Sequence, residues 1–145
     1  MHYIRLTPEP IDPALVQGLL SDPRHGAQLL FHGVVRNSNH GRQVQAVSYD
    51  AYLPLAETCF REICQEASDR WGDTLQVALI HRVGRLEVGE ISVSIAIGLP
   101  HRDEAYQASR YVIEELKKRA PIWKKEHYVD GESEWLQGHA LCFHG

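Results

Sequence analysis

A mixed α+β fold with antiparallel strands and about three helices is predicted by three features of this sequence. Strict period-two alternation appears in "LQVALIHRV" and "ISVSIAIG", as strands require. Apolar residues recur every three or four positions between Pro54 and Trp71, as one face of an amphipathic helix requires. Segments of both kinds are interspersed, with no internal repeat, low-complexity tract or linker between them. A chain of 145 residues, 43% hydrophobic and 23% charged, has the size and balance of one domain with an adequate core, so residues 1–145 are read as a single unit.

In chain order, residues 2–6 read as an opening strand. "DPALVQGLL" follows as a helix, with Asp12 as N-cap, Pro13 at the first helical position, and Leu15, Val16, Leu19 and Leu20 as its buried stripe. "AQLLFHGVV" is a β-type apolar run ending at Arg36. The polar, Asn- and Gly-rich "RNSNHGRQ" predicts a loop, and "VQAVSYDAY" the next strand. The long helix turns Ala56, Phe60, Ile63, Ala67 and Trp71 inward and stops near Gly72. Leu75, Val77, Leu79, His81 and Val83 share one face of the strand after it. In the next strand Ile91, Val93, Ile95 and Ile97 oppose Ser92, Ser94 and Ala96, and "GRLEVGE" between the two predicts an antiparallel connection. Asp103 is expected to cap a third helix running to about Lys118, with Ala105, Ala108, Val112 and Leu116 inward and Pro121 preventing its continuation. "IWKKEHY" and "SEWLQ", separated by "VDGE", predict a closing hairpin, because Asp-Gly supplies the φ > 0 residues a tight turn needs.

Composition narrows the function classes. The apolar runs are short and interrupted by charge, and "MHYIRLTPEPID" lacks the long apolar core of a signal peptide, so a cytoplasmic protein with no membrane span is expected. Cys59, Cys64 and Cys142 form neither a CxxC pair nor an even disulfide framework, which predicts buried thiols in a reducing compartment. "HALCFH" brings His139, Cys142 and His144 together at a spacing that matches none of the usual zinc patterns, and no metal site is expected. A pI near 6.1 and the lack of an extended basic, aromatic-rich stripe argue against nucleic acid.

Against a net charge of -4, the stretch "LKKRAPIWKKE", Leu116 to Glu126, gathers four lysines and an arginine around one proline. Like charges so close repel, so an anionic partner is expected there. Lys118 follows Glu114 by four residues, the order of a solvated pair, whereas Lys117 borders Leu116 at the edge of the apolar stripe and is expected to face a pocket. Beyond Pro121, alternation puts Ile122, Lys124 and Glu126 on one face and Trp123, Lys125 and His127 on the other, and leaves open which is inward. At a separation of about 6 Å and an effective dielectric of about 20, Lys117 and Lys124 would repel by about 3 kcal/mol, depressing one amine by about two pKa units. Arg36 at a strand end, and His101 and Arg102 just before the third helix, are further basic residues at positions that often face ligands.

Taken in order, "FHGVVRNSNHGRQV", "IHRVGRLEVGE", "HRDEAY" and "LKKRAPIWKKE" followed by "GESEW" resemble the large, catalytic subunit of molybdopterin synthase, over about Ala27 to Trp135. The resemblance implies an α/β hammerhead fold and a sulfur transferase of molybdenum cofactor biosynthesis. Such an enzyme converts cyclic pyranopterin monophosphate, or precursor Z, into molybdopterin by inserting two dithiolene sulfurs. As partner it implies a small ubiquitin-like sulfur-carrier subunit whose C-terminal Gly-Gly thiocarboxylate delivers each sulfur, and as assembly a homodimer at the centre of a heterotetramer. No cofactor is needed, because the partner supplies the sulfur.

Carried over by position, the family's catalytic lysines fall on Lys117 and Lys124, which also contact substrate. Its other substrate-binding positions fall on Val34, Val35 and Arg36, on His101 and Arg102, and on Lys125 and Glu126. By this analogy Lys124 is on the pocket face, and residues 36, 101, 102, 117 and 124 are expected to meet around one hollow. Leu55 stands where the family often has a methionine, a size-conserving change. The tail 136–145 matches no part of the pattern and has no assigned role. A rival of another class is a non-catalytic anion-binding or scaffold module, in which the same cations hold a phosphate-containing effector or an acidic protein tail.

Overall fold

A computed structural model describes residues 1–131 and 133–135. The first sheet is built from β1 (His2–Thr7), β5 (Gln76–Arg82), β7 (Ile91–Leu99) and β2 (Ala27–Val34), in that order. Its pairs are antiparallel except β1 with β5, which is parallel. The second sheet runs β3 (Ser38–Asn39), β4 (Arg42–Ala51), β8 (Ile122–Tyr128), β9 (Ser133–Trp135), with β6 (Gly84–Glu87) paired to β4. Three helices, α1 (Pro13–Gly18), α2 (Leu53–Trp71) and α3 (Arg102–Arg119), complete the predicted α+β architecture.

The core follows from the two periodicities. Val77 and Leu79 of β5, and Val93, Ile95 and Ile97 of β7, join the buried stripes of α2 and α3 in one cluster that extends to Val47 and Ile122 of the second sheet. All four residues of the predicted α3 stripe, Ala105, Ala108, Val112 and Leu116, are buried. The first sheet is covered on its other face too: Ala78, Ile80 and Ala96 pack under Val16 and Leu20 from the α1 region. Gly72, at φ 103°, ends α2 in a conformation only glycine adopts without strain. Beyond their apolar contact, α2 and α3 are joined by Arg119, whose guanidinium donates to both Glu66 oxygens at 2.7 and 2.9 Å.

Several local expectations are corrected. Leu15 is 71% exposed, because the short α1 docks through Val16 and, one turn on, Leu20. The segment read as a plain loop contains β3, which turns back on β4 through His40 and Gly41, both at positive φ (49° and 79°), as a two-residue hairpin demands. Within "GRLEVGE" lies β6, which leaves the first sheet to pair with β4. The N-cap of α3 is His101, without a side-chain cap bond, and Asp103 sits inside the first turn, where it complements the helix dipole. His139, Cys142 and His144, and the Leu136–Gln137 end of the predicted last strand, lie outside the described residues. Among the described residues no helix is long and apolar enough to cross a membrane, and no group of three or more His, Cys, Asp or Glu side chains is arranged to hold a metal. Cys59 and Cys64 are buried free thiols, and burial pushes Cys64 up to about 12.

Candidate functional site

Where the two sheets meet, β2 runs out in a bulge between Gly33 and Val34. A Cβ at Gly33 would stand 2.7 Å from Val93 Cγ1, so any side chain here would force Val93 or the strand itself to shift. Beyond the bulge the Val35 N–H donates to the Glu90 carbonyl at 3.0 Å and the Gly89 N–H to the Val35 carbonyl at 2.9 Å, which fixes the chain as it carries Arg36 past the sheet edge. Lys117 comes from the last turn of α3. Lys124 comes from β8, directly across from Tyr49 of β4. Arg36, Lys117 and Lys124 line one hollow of about 290 Å³, together with Val34, Tyr49 and His81. A recess of about 40 Å³ adjoins it, lined by Val35, Arg36, Asn39, Lys124 and Glu126 among others.

The electrostatics differ in cause from the sequence-level expectation. Lys117 is held below the ordinary lysine value first by burial and then by the Arg36 charge. Lys124 is lowered mainly by burial; Glu126 opposes this, while Arg36 and Lys117 push in the same direction as burial. Loss of water, rather than lysine–lysine repulsion, is therefore the main cause, because an ammonium in a half-closed pocket gives up hydration before it meets a neighbour. Glu126, 2% exposed, accepts from Asn39 Nδ2 at 2.7 Å, which fixes its carboxyl group beside Lys124.

The open question of strand face is resolved. Ile122 and Glu126 are buried on the Lys124 side, whereas Trp123 is 41% exposed. Lys125 lies on the outer side with His127, which pairs with the Ser48 hydroxyl at 2.8 Å. Val34 is half-exposed at the hollow, and Val35 is buried and joins the main core. Lys118 is solvated and pairs with Glu115 at 3.5 Å, not with Glu114, which takes Arg110 at 3.3 Å.

His101 and Arg102 do not meet the other three within the chain. Both are exposed at the start of α3, and the fifteen residues from Arg102 to Lys117 span about 22 Å at 1.5 Å per helical residue. The same end of the molecule is marked by the Gly26 N–H bonded to the Pro100 carbonyl, at the opposite end of β2 from Val34. The single hollow expected for five residues thus gathers three, and the length of α3 is the reason.

Sequence reasoning passed over Tyr49, His81, Ser92 and Asn39. The available signal was His81 itself, a polar ring on the otherwise apolar face Leu75, Val77, Leu79. Its Nδ1 bonds the Arg82 carbonyl at 2.7 Å, and burial pushes its pKa down to about 4. Tyr49 packs edge-on against it at 5.0 Å and 78°. Such a site offers charge-assisted hydrogen bonds for two anionic groups and amines that lose a proton more readily than free lysine.

Residues 6–119 match the family model described as MoaE protein. The chain is 48% identical over 141 residues to the molybdopterin synthase catalytic subunit of Synechococcus elongatus, covering 97% of this chain and 86% of that one. The crystal structure of molybdopterin synthase from Staphylococcus aureus matches with a TM-score of 0.86 at 34% identity, over 92% of this chain and 96% of that one. A complex of subunits 1 and 2 of molybdopterin-converting factor from Helicobacter pylori matches with a TM-score of 0.74 over 94% of this chain and 90% of that one; at 23% identity, this is a likeness of fold.

Proposed function

The chain belongs to the MoaE protein family, the catalytic subunits of molybdopterin synthase, and from that premise we propose that it inserts both dithiolene sulfurs into cyclic pyranopterin monophosphate. The sulfur comes from the thiocarboxylated C-terminus of a small ubiquitin-like carrier subunit. The observation that carries this reading is the meeting of Arg36, Lys117 and Lys124 around one hollow, with both lysines lowered by burial.

Substrate phosphate and carrier thiocarboxylate are both anionic and repel, so a site that joins them needs several cations. Arg36 suits the phosphate, to which a guanidinium offers paired donors. The thiocarboxylate sulfur attacks a side-chain carbon of the substrate and displaces an oxygen from it: the carbon–oxygen bond breaks as the carbon–sulfur bond forms, the oxygen leaves with the phosphate or as water, and the carrier's acyl group stays bound through that sulfur. Water then breaks the acyl–sulfur bond directly, or a lysine amine takes the acyl group and water hydrolyses the resulting amide; on either route the sulfur stays on the pterin and the carrier leaves as a carboxylate. A neutral lysine serves this step as base or acceptor, and a charged one stabilises the oxyanion. Glu126, held by Asn39, supports the charged state of Lys124.

His101 and Arg102 reach substrate in this scheme only from a second copy, since their own hollow lies about 22 Å away along α3. That requirement supports a homodimer; the heterotetramer built on it and its place in the cytoplasm are proposed from the family likeness alone. The test is to mix the purified chain with precursor Z and thiocarboxylated carrier and assay the dithiolene product. Product formation is expected; tight binding of both without product would instead identify a non-catalytic anion-binding module.

A further inference from the structure

Donors dominate the polar lining of the hollow. Arg36 and the charged forms of Lys117 and Lys124 present only N–H groups; the Ser92 hydroxyl, whose proton goes to the Gly33 carbonyl at 3.1 Å, and the Tyr49 hydroxyl are the neutral oxygens beside them. His81 is different. Its Nδ1–H is committed to the Arg82 carbonyl at 2.7 Å, which fixes the tautomer and makes Nε2 a bare acceptor. The residue is 1% exposed yet lines the hollow, so Nε2 is the polar position its ring has left to offer. The ring is not free to turn: Tyr49 lies edge-on at 5.0 Å, and the backbone is held between Leu6 of β1 and Val93 of β7.

A neutral lone pair is a poor seat for an anion, because it would face oxygens that are themselves acceptors. It suits an uncharged group bearing N–H or O–H. Phosphate and thiocarboxylate therefore belong against the cations, and the remaining, uncharged part of the substrate belongs against His81. Resting on the pterin phosphate reading above, we propose that His81 Nε2 accepts a hydrogen bond from an N–H or O–H donor on the uncharged part of the bound pterin and so sets its orientation.

The alternative is a histidine that merely pegs the core through Nδ1, and two variants separate the roles. His81→Asn keeps an amide N–H near the Arg82 carbonyl but has nothing at the Nε2 position; His81→Gln places an amide oxygen there. Precursor Z is titrated into each protein by calorimetry, without carrier, and the imidazole nitrogen NMR spectrum of the wild-type protein is followed in the same titration. Binding about tenfold weaker or more in His81→Asn is expected, the loss of one buried hydrogen bond, with affinity close to wild type in His81→Gln and a displaced Nε2 resonance in the saturated wild-type protein. An Nε2 resonance that stays in place at saturation overturns the inference however the variants fold, as does wild-type affinity in His81→Asn. If wild type binds precursor Z and only these results fail, the functional reading stands without this contact. If wild type does not bind it at all, both fall together.

Discussion

At His81 the fold keeps neutral an imidazole that titrates near 6.5 when free, and the consequence is a pH-dependent stability. Its folded-state value is about 4. Between those values the unfolded chain binds a proton that the folded chain does not, so stability falls as pH drops from 6.5 towards 4. The shift corresponds to about 3 kcal/mol. Urea unfolding of wild type and His81→Gln at neutral pH and near pH 4 measures it: wild type is expected to lose about 3 kcal/mol more than the variant over this interval, and parallel losses would assign the acid sensitivity elsewhere. At this scale the sequence separated Lys117 from Lys118, because an apolar neighbour and an acidic one sit at fixed helical offsets from them. It did not reveal why the lysines are perturbed, since burial in the hollow depends on β2 and β8 arriving from distant parts of the chain.

Among the elements, α3 does most to place the site. Leu116 is 1% exposed and anchors the last helical turn immediately before Lys117. Leu116→Ala is expected to cost about 2–4 kcal/mol through lost burial and the cavity left behind. Because the helix end then settles towards that cavity, turnover at a temperature where the variant is still folded should drop as well; unchanged turnover would show that Lys117 is positioned by other contacts. The stripe of α3 was legible because four small or apolar residues keep helical period over three turns. The strands β3 and β6 were not, being two and four residues long, too short for periodicity to register. Each is defined by its partner β4, and no local signal announces that partner. The sheet of β5 and β7 shows the complementary case, in which alternation was plain but the cover that α1 lays on the second face was not.

For the molecule as a whole, three of five expected basic residues share a hollow and two stand at the far end of α3. That separation was accessible from helix length alone, since Arg102 and Lys117 belong to one continuous helix; family likeness assigned both to substrate without saying that one chain cannot supply both. The proposed second copy would reconcile the two, and mixing variants tests it. Lys117→Ala and Arg102→Ala, each inactive alone, are expected to regain about a quarter of wild-type activity after subunit exchange, because half of the dimers are mixed and each mixed dimer has one intact site. No recovery from an exchanged mixture would place His101 and Arg102 outside the reaction. Two partly buried lysines carry the proposed chemistry, and single-turnover sulfur transfer from thiocarboxylated carrier to precursor Z measures their part. Lys117→Ala and Lys124→Ala are each predicted to fall by about a hundredfold or more with an unchanged circular dichroism spectrum; wild-type turnover in either variant would contradict the account.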